Sequence, residues 1–460
     1  MPPRPRSRRQ SVPPDTSTPP PKDRAAGLVA LADALEGERE IILATAASET
    51  HLTVAELTPE FDRMVGTLRL FAECIADDSF FEVAAAPVST TSIGPGHALR
   101  AKLVPLGKVL VFGASNFPLA YGVCGGDTVS ALAAGCQVIV KEHPAHPKTG
   151  RLLHRVASSA LSGHSMNGWL TYARHTDPTD FGVAKALVMD HAVAAIGFTG
   201  SVPGGLAIEK LARMRAVPIP VFAEMGSLNP VLVSAAAVRS RSATIASALA
   251  ASISMRVGQQ CTRPGLIFVE SGIGDQSFID SLAAHLAAVE PRRMVAPWIE
   301  TSFIKHTKAV ANIKGISTLI PLDPPSNRSG IKPLLFQTTL PVLQSTKRLR
   351  EEIFGPAAIV VSVPTGLFDS NFSAIDAALK PLPGSLTCSL FAEASELSDD
   401  LCHAVAPYAG RIILNGVPTG VRVDRAMVHS GPFPACNRPE STAVGPYAIT
   451  RWMRTVCIQG

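Results

Sequence analysis

The sequence predicts an α/β protein of two doubly wound parallel-sheet domains carrying a small oligomerisation arm. Short apolar runs alternate with helical stretches along most of the chain, and several of these runs end in glycine or a polar loop. At 460 residues the chain is too long for one small core. Hydrophobic residues make up 46% and charged residues only 17%, which suits a soluble α/β protein with a large buried fraction.

From residue 25 to about 78 the apolar positions recur at helical spacing, as in Leu28, Leu31 and Leu35, then Phe61, Met64, Leu68 and Phe71. Two or three helices are expected there. Residues 81–103 alternate small apolar with polar side chains around Gly94-Pro-Gly96, the pattern of an extended hairpin or arm. Then strands and helices alternate. Residues 107–113 form an apolar run ending in glycine. A small-residue helix follows, then a strand at 137–141, a helix at 150–160 and a strand at 193–198 that leads into a helix.

A second such block has strands at 230–233 and 265–270 and helices at 242–255 and 276–289. Residues 321–329 carry turn chemistry. Further strands are expected at 357–363, 385–391 and 411–414, before a Gly/Pro-rich tail. A cleft between two such domains is the default ligand site.

The bulk numbers exclude several classes. The net charge of +5 is small, and much of it comes from arginines before residue 10, which argues against nucleic acid or a polybasic membrane patch as partner. No apolar run approaches the roughly 18 residues that span a bilayer. Residues 1–21, rich in Pro, Arg and Ser, lack a secretory h-region and are expected to be a disordered tail. Eight cysteines occur without CxxC pairs or zinc-ligand spacing, so no metal is expected, and a reducing, cytoplasmic setting fits.

Four segments carry the chemistry. In Gly258-Gln-Gln-Cys261-Thr-Arg-Pro-Gly265 a cysteine sits between a predicted helix and a predicted strand, flanked by glycines that allow close backbone approach. A nucleophilic thiol needs that kind of loop, with backbone N–H groups nearby; a lone cysteine is otherwise an inert core residue. In Phe222-Ala-Glu224-Met-Gly226 a carboxylate lies among apolar residues. It is either a buried charge with a partner or a general base with a raised pKa. In Ala114-Ser-Asn116-Phe-Pro118 an amide donor follows a strand directly, a turn asparagine when taken alone. The turn Gly197-Phe-Thr-Gly200-Ser201 enters a helix whose free N–H groups suit a phosphate, without GxGxxG spacing.

Taken together, and in this order, Asn116-Phe-Pro, Lys141, Phe198-Thr-Gly-Ser201, Glu224-Met-Gly226, Gly258-Gln-Gln-Cys261-Thr and Glu351-Glu-Ile-Phe-Gly-Pro356 resemble the aldehyde dehydrogenase superfamily, from roughly residue 60 onward. Finer matches include Phe112-Gly-Ala-Ser-Asn-Phe-Pro-Leu119, Lys141-Glu-His-Pro-Ala-His-Pro147 and Met427-Val-His-Ser-Gly-Pro-Phe-Pro434. They resemble the branch acting on 2,5-dioxovalerate, the semialdehyde of α-ketoglutarate. The resemblance implies that Cys261 is the nucleophile, that Asn116 and the Cys261 backbone N–H hold the oxyanion, and that Glu224 activates the hydrolytic water. Lys141 would bind the adenine-ribose end of the cofactor, Gly200 and Ser201 the pyrophosphate, and Glu352 the nicotinamide ribose beside Phe354.

The implied organisation is a tail over residues 1–22, a cofactor-binding domain over 23–80 and 105–225, an arm over 81–104 and 446–460, and a catalytic domain over 226–445. A homodimer or homotetramer acting on a small aldehyde is implied. Alternatives are a broad or long-chain fatty aldehyde dehydrogenase, or a non-catalytic relative, since the part before the first motif is shorter than is usual.

Departures from the pattern sharpen the expectations. Where NAD-preferring relatives place a glutamate three residues after the lysine, this chain has Pro144, so NADP is expected over NAD, with Lys141 and His143 nearby. The segment 172–182, glycine-rich in relatives, is not so here. Arg256 and Arg263 are unusual beside the nucleophile. With Arg422 and Arg425 they are candidates for a cation that meets an acidic substrate.

Overall fold

The structure, a computed structural model, describes residues 18–88, 96–175, 181–272, 274–322 and 330–460. Most of the expected tail, the tip of the hairpin, the middle of the 172–182 segment and most of the loop at 321–329 therefore lie outside the described residues.

Three helices open it: α1 (Pro21–Gly37), α2 (Arg39–Thr50) and α3 (Val54–Cys74). α3 starts in a capping box, Thr53 accepting from the Glu56 N–H at 3.2 Å while Glu56 accepts from the Thr53 N–H at 2.9 Å. Its buried face runs Leu57, Phe61, Met64, Leu68 and Phe71, the helical period read from the sequence.

There follow β1 (Glu82–Ala86), β2 (Leu99–Pro105), β3 (Lys108–Phe112), α4 (Gly126–Ala134), β4 (Val138–Lys141), α5 (Pro147–Ser162), β5 (Leu170–Ala173), α6 (Gly182–Met189), β6 (Val193–Thr199), α7 (Val202–Arg213) and β7 (Val221–Glu224). The second block runs β8 (Val231–Val233), α8 (Ala235–Ser254), β9 (Leu266–Glu270), α9 (Asp275–Ala287), α10 (Pro297–Ala311), β10 (Ser317–Thr318), β11 (Leu334–Thr339), α11 (Leu340–Ser345), β12 (Ala357–Val363), α12 (Ser373–Leu379), β13 (Ser385–Phe391), α13 (Asp399–Val405) and β14 (Ala409–Leu414), and β15 (Met453–Gln459) ends the chain.

These strands make three sheets. The first, in the order β5-β4-β3-β6-β7, is wholly parallel. The chain leaves β3 toward β4 on one side and returns to β6 on the other, so a crevice opens at the carboxyl ends of β3 and β6. The second sheet, β10-β11-β12-β9-β8-β13-β14, is parallel except for the short β10. The third is antiparallel, β1-β2-β15, and pairs parts of residues 81–104 and 446–460 with one another.

The end of the chain is pinned to the first domain. Trp452 is fully buried, its indole N–H donating to the Ser130 hydroxyl at 2.8 Å, and Arg451 pairs with Asp127 at 2.5 Å. Elements the sequence reading missed include β5, only four residues long, and α10, whose buried positions are confined to Phe303, Thr307 and Val310. Weak amphipathic signals of that kind are filled in by tertiary packing.

Candidate active site

The first sheet delivers five site residues at the carboxyl ends of four neighbouring strands. Asn116 follows β3, Lys141 ends β4, Gly200 and Ser201 follow β6, and Glu224 ends β7. The second sheet answers from the amino ends of two interior strands. The loops that carry Cys261 and Glu352 enter β9 and β12, which are adjacent and parallel. All eight residues singled out from the sequence, Phe354 included, line one cavity of about 1080 Å³.

The nucleophile loop is held by backbone geometry that few sequences tolerate. Arg256, Val257 and Gly258 have φ of 52°, 57° and 65° in succession, and two of them are not glycine. Left-handed backbone costs such residues on the order of 1–2 kcal/mol each. At Gly258 a Cβ would lie 2.3 Å from the Pro356 nitrogen, so only glycine lets the two loops meet.

Arg256 offsets the strain by tying the loop down. Its guanidinium pairs with Glu60 of α3 at 2.7 Å, donates to the Asn116 carbonyl at 2.8 Å and lies 4.3 Å over the Phe117 ring. Glu60 in turn accepts from the backbone N–H groups of Leu119 and Ala120 at 2.7 and 3.0 Å. Helix, oxyanion loop and nucleophile loop are thus one hydrogen-bonded unit. The Asn116 amide completes it, donating to the Gln259 carbonyl at 2.8 Å. An amide NH2 has two hydrogens, so this bond aims the group at the loop and leaves one donor.

The Cys261 carbonyl is held by the Asn229 amide at 2.7 Å. Its thiol stays half-buried, and burial beside the Glu224 carboxylate pushes it up to about 12. Glu224 is itself raised to about 8 by burial, against the pull of Arg451 and Arg63. Between them stands a residue to which the sequence reading gave no role. His429 Nε2 is 3.7 Å from the Cys261 sulfur and 3.5 Å from Glu224 Oε2. Burial, Arg63, Arg411 and Arg451 together pull this imidazole down to about 3, so it is neutral. His429 lay inside a quoted motif, but nothing in its spacing from Cys261 revealed that the fold brings them together.

The cofactor end is shaped by small residues. A Cβ on Gly200 or Gly204 would strike the Phe198 ring at 2.7 or 3.0 Å, and one on Gly226 would meet Glu352 Oε2 at 2.4 Å. Ser201 caps α7, accepting from the Gly204 N–H at 3.3 Å, so the helix presents its amino end to the cavity. Burial raises Glu352 to about 7. This shape fits a dinucleotide laid across the strand ends.

Residues 9–376 match the aldehyde dehydrogenase family. The chain belongs to that family. As an aldehyde dehydrogenase it is an oxidoreductase acting on the aldehyde group. It is 38% identical over 440 residues to an alpha-ketoglutaric semialdehyde dehydrogenase of Azospirillum brasilense, covering 95% of this chain and 82% of that one. A second such enzyme, from Acinetobacter baylyi, is 38% identical over 422 residues, covering 90% and 78%. Among solved structures, the 1-pyrroline-5-carboxylate dehydrogenase of Thermus with bound NAD superposes with a TM-score of 0.78 at 18% identity, covering 96% and 82%.

Two expectations about this aldehyde dehydrogenase are corrected. Arg256 and Arg263 are not available to an acidic substrate. The first is consumed by Glu60 and Asn116. The second is buried, bonded to the carbonyls of Pro264, Ile353 and Ala357, and braces the Glu352 loop. Arg422 pairs with Asp424 at 2.8 Å, and Arg425 lies on the exposed surface. Among the described residues, no group of acidic, histidine or cysteine side chains could hold a metal, and no helix is long and apolar enough to cross a membrane.

Proposed function

We propose that this enzyme oxidises the semialdehyde of α-ketoglutarate, 2,5-dioxopentanoate, to 2-oxoglutarate through a thioester on Cys261. One observation carries the reading: the thiol, the Asn116 amide and the Glu224 carboxylate converge on one cavity with the glycine cradle of the dinucleotide end. The substrate is inferred from the identity to the Azospirillum and Acinetobacter enzymes over most of the chain.

In this mechanism Cys261 sulfur bonds the aldehyde carbon. The thiol gives up its proton to His429 Nε2, the nearest described side-chain acceptor, which passes it to water in the cavity and leaves Glu224 free for the hydrolytic step. The Cys261 N–H and the free Asn116 hydrogen stabilise the alkoxide. A bound nicotinamide cofactor supplies the hydride acceptor, with Lys141 at the adenosine ribose, Gly200 and Ser201 at the pyrophosphate, and Glu352 and Phe354 beside the nicotinamide ribose. Glu224 then draws a proton from water, which attacks the thioester and frees the acid and the thiol. A panel of aldehydes read by absorbance at 340 nm tests the reading. We expect 2,5-dioxopentanoate to give the highest kcat/KM, and the reading fails if long-chain or aromatic aldehydes exceed it.

NADP is the preferred form of the cofactor in this reading. Among the described residues three carboxylates line the cavity, and of these only Glu142 lies at the adenosine end. It is fully buried and held by Arg151 through two bonds of 2.8 and 3.0 Å, so it is not free to take ribose hydroxyls. Pro144 adds no charge, while Lys141 and Lys185 both line that end. A lysine–phosphate bond contributes on the order of 1.5–3 kcal/mol, roughly a tenfold to hundredfold preference before solvent screening. We expect kcat/KM to be higher with NADP than with NAD, and Pro144→Glu to narrow or reverse the ratio. Equal use of both by the unmodified enzyme overturns this.

A homodimer or homotetramer and a cytoplasmic setting complete the proposal. The antiparallel sheet leaves β1 and β15 as open edges, and β15 is exposed at five of its seven positions. Such edges seek a partner strand. A single-chain mass by light scattering at micromolar concentration rules this out.

A further inference from the structure

Around the thiol, the arginines divide into two kinds. Arg256 is paired with Glu60 and Arg451 with Asp127, and the buried guanidinium of Arg263 is surrounded by backbone carbonyls. These are structural. Arg63 and Arg411 are both half-buried and form no ion pair with any described carboxylate.

Both border the same apolar patch beside the nucleophile. Arg63, on α3, donates to the Tyr121 hydroxyl at 2.8 Å and lies 5.2 Å over its ring. The Tyr121 ring is 6.5 Å from that of His429, whose Nε2 touches the Cys261 sulfur. Arg411, on β14, reaches the Met427 sulfur at 4.0 Å. Met427, Phe117 and Tyr121 belong to one apolar cluster, which Val421 and Val423 extend. The bonds of Arg411 to the Pro418 and Gly420 carbonyls leave its Nε buried with no partner. A buried guanidinium N–H without an acceptor costs free energy until an anion supplies one.

We propose that Arg63 and Arg411 together bind the carboxylate at the far end of the substrate, making them the residues that select aldehydes bearing a carboxylate over uncharged ones. This rests on the acidic-semialdehyde reading above and names the side chains that enforce it. Two guanidinium groups beside an apolar cluster that adjoins the nucleophile suit a short chain with an aldehyde at one end and a carboxylate at the other. The apolar cluster takes the methylene stem, and the planar forks take the two oxygens. Each cation lies in the field of the other, which favours an anion between them.

The test compares 5-oxopentanoate with pentanal, which match in length and differ in the carboxylate. In Arg63→Gln and in Arg411→Gln, the ratio of kcat/KM for 5-oxopentanoate to that for pentanal is expected to fall at least tenfold, chiefly through KM. Arg63→Lys and Arg411→Lys are expected to keep part of the preference, which a merely structural role would not predict. Glutarate should compete with pentanal in the wild-type enzyme, and this measurement needs no variant to fold. Absence of that competition, or equal loss of both substrates in the Gln variants, overturns the proposal. A wild-type preference for 5-oxopentanoate that survives both Gln variants overturns it alone. A wild-type enzyme indifferent to the carboxylate overturns the substrate reading as well.

Discussion

Cys261→Ala is expected to remove aldehyde oxidation, by on the order of ten-thousandfold or more, while the protein remains folded and still binds cofactor. The side chain contributes little to the architecture. Among the described residues its sulfur has one side-chain hydrogen-bond contact, His429 at 3.7 Å, and the loop is fixed by backbone and neighbours: the Asn229 amide on the Cys261 carbonyl, Asn116 on Gln259, and Arg256 on Glu60. Removing one sulfur from a half-buried position therefore leaves those bonds in place. The chemistry has no substitute nucleophile at that point. The other cysteine near Glu224, Cys436, is buried, and its sulfur already accepts from the Arg438 backbone N–H at 3.3 Å. Turnover at 340 nm, thermal unfolding and quenching of protein fluorescence by reduced cofactor check the three parts separately. Residual oxidation within tenfold of the wild type would remove Cys261 as the nucleophile.

How much of this was legible in the sequence differs between fold and site. Strands such as β9 and β12 are mainly apolar runs buried on both faces, so their composition and their flanking glycines mark them to within a residue or two. The order of those strands in the sheets is set by long-range packing and was not legible beyond the general doubly wound pattern. In the site, the eight residues carried by motifs all line the cavity. What could not be read is contact between residues far apart in the chain. His429 is 168 positions from Cys261 and carries no local sign of its task. Arg63 looks like a solvent-facing residue of an amphipathic helix, and Arg411 like the start of a strand. Arg256 and Arg263, which stand beside the nucleophile in sequence, were the natural cation candidates. The fold uses both to hold loops together, because a guanidinium near so many backbone carbonyls is more strongly bound by them than by a transient ligand.

Glu224→Gln is expected to separate the two halves of the reaction. Acylation needs the thiol and the oxyanion donors, which this change leaves in place, whereas hydrolysis needs a base beside the thioester. The variant should release about one equivalent of reduced cofactor per site in a burst and then turn over slowly, by on the order of a hundredfold to ten-thousandfold below the wild type. The pH dependence fixes the assignment. Burial holds Glu224 at about 8, so at pH 7 only about a tenth of it is the carboxylate that acts as base. If hydrolysis limits turnover, wild-type kcat rises nearly tenfold per pH unit below that value and levels off above it, whereas the Gln variant loses this rise. Stability moves the other way. A carboxyl whose folded pKa is raised favours the fold below its unfolded value of 4.5, and that contribution is lost as pH climbs to about 8. Glutamine cannot ionise, so the variant should gain thermal stability relative to wild type between pH 5 and 8, which excludes unfolding as the cause of the slow phase. A variant with normal steady-state rate and an unchanged pH profile would show that another group, or bulk water, carries out the hydrolysis.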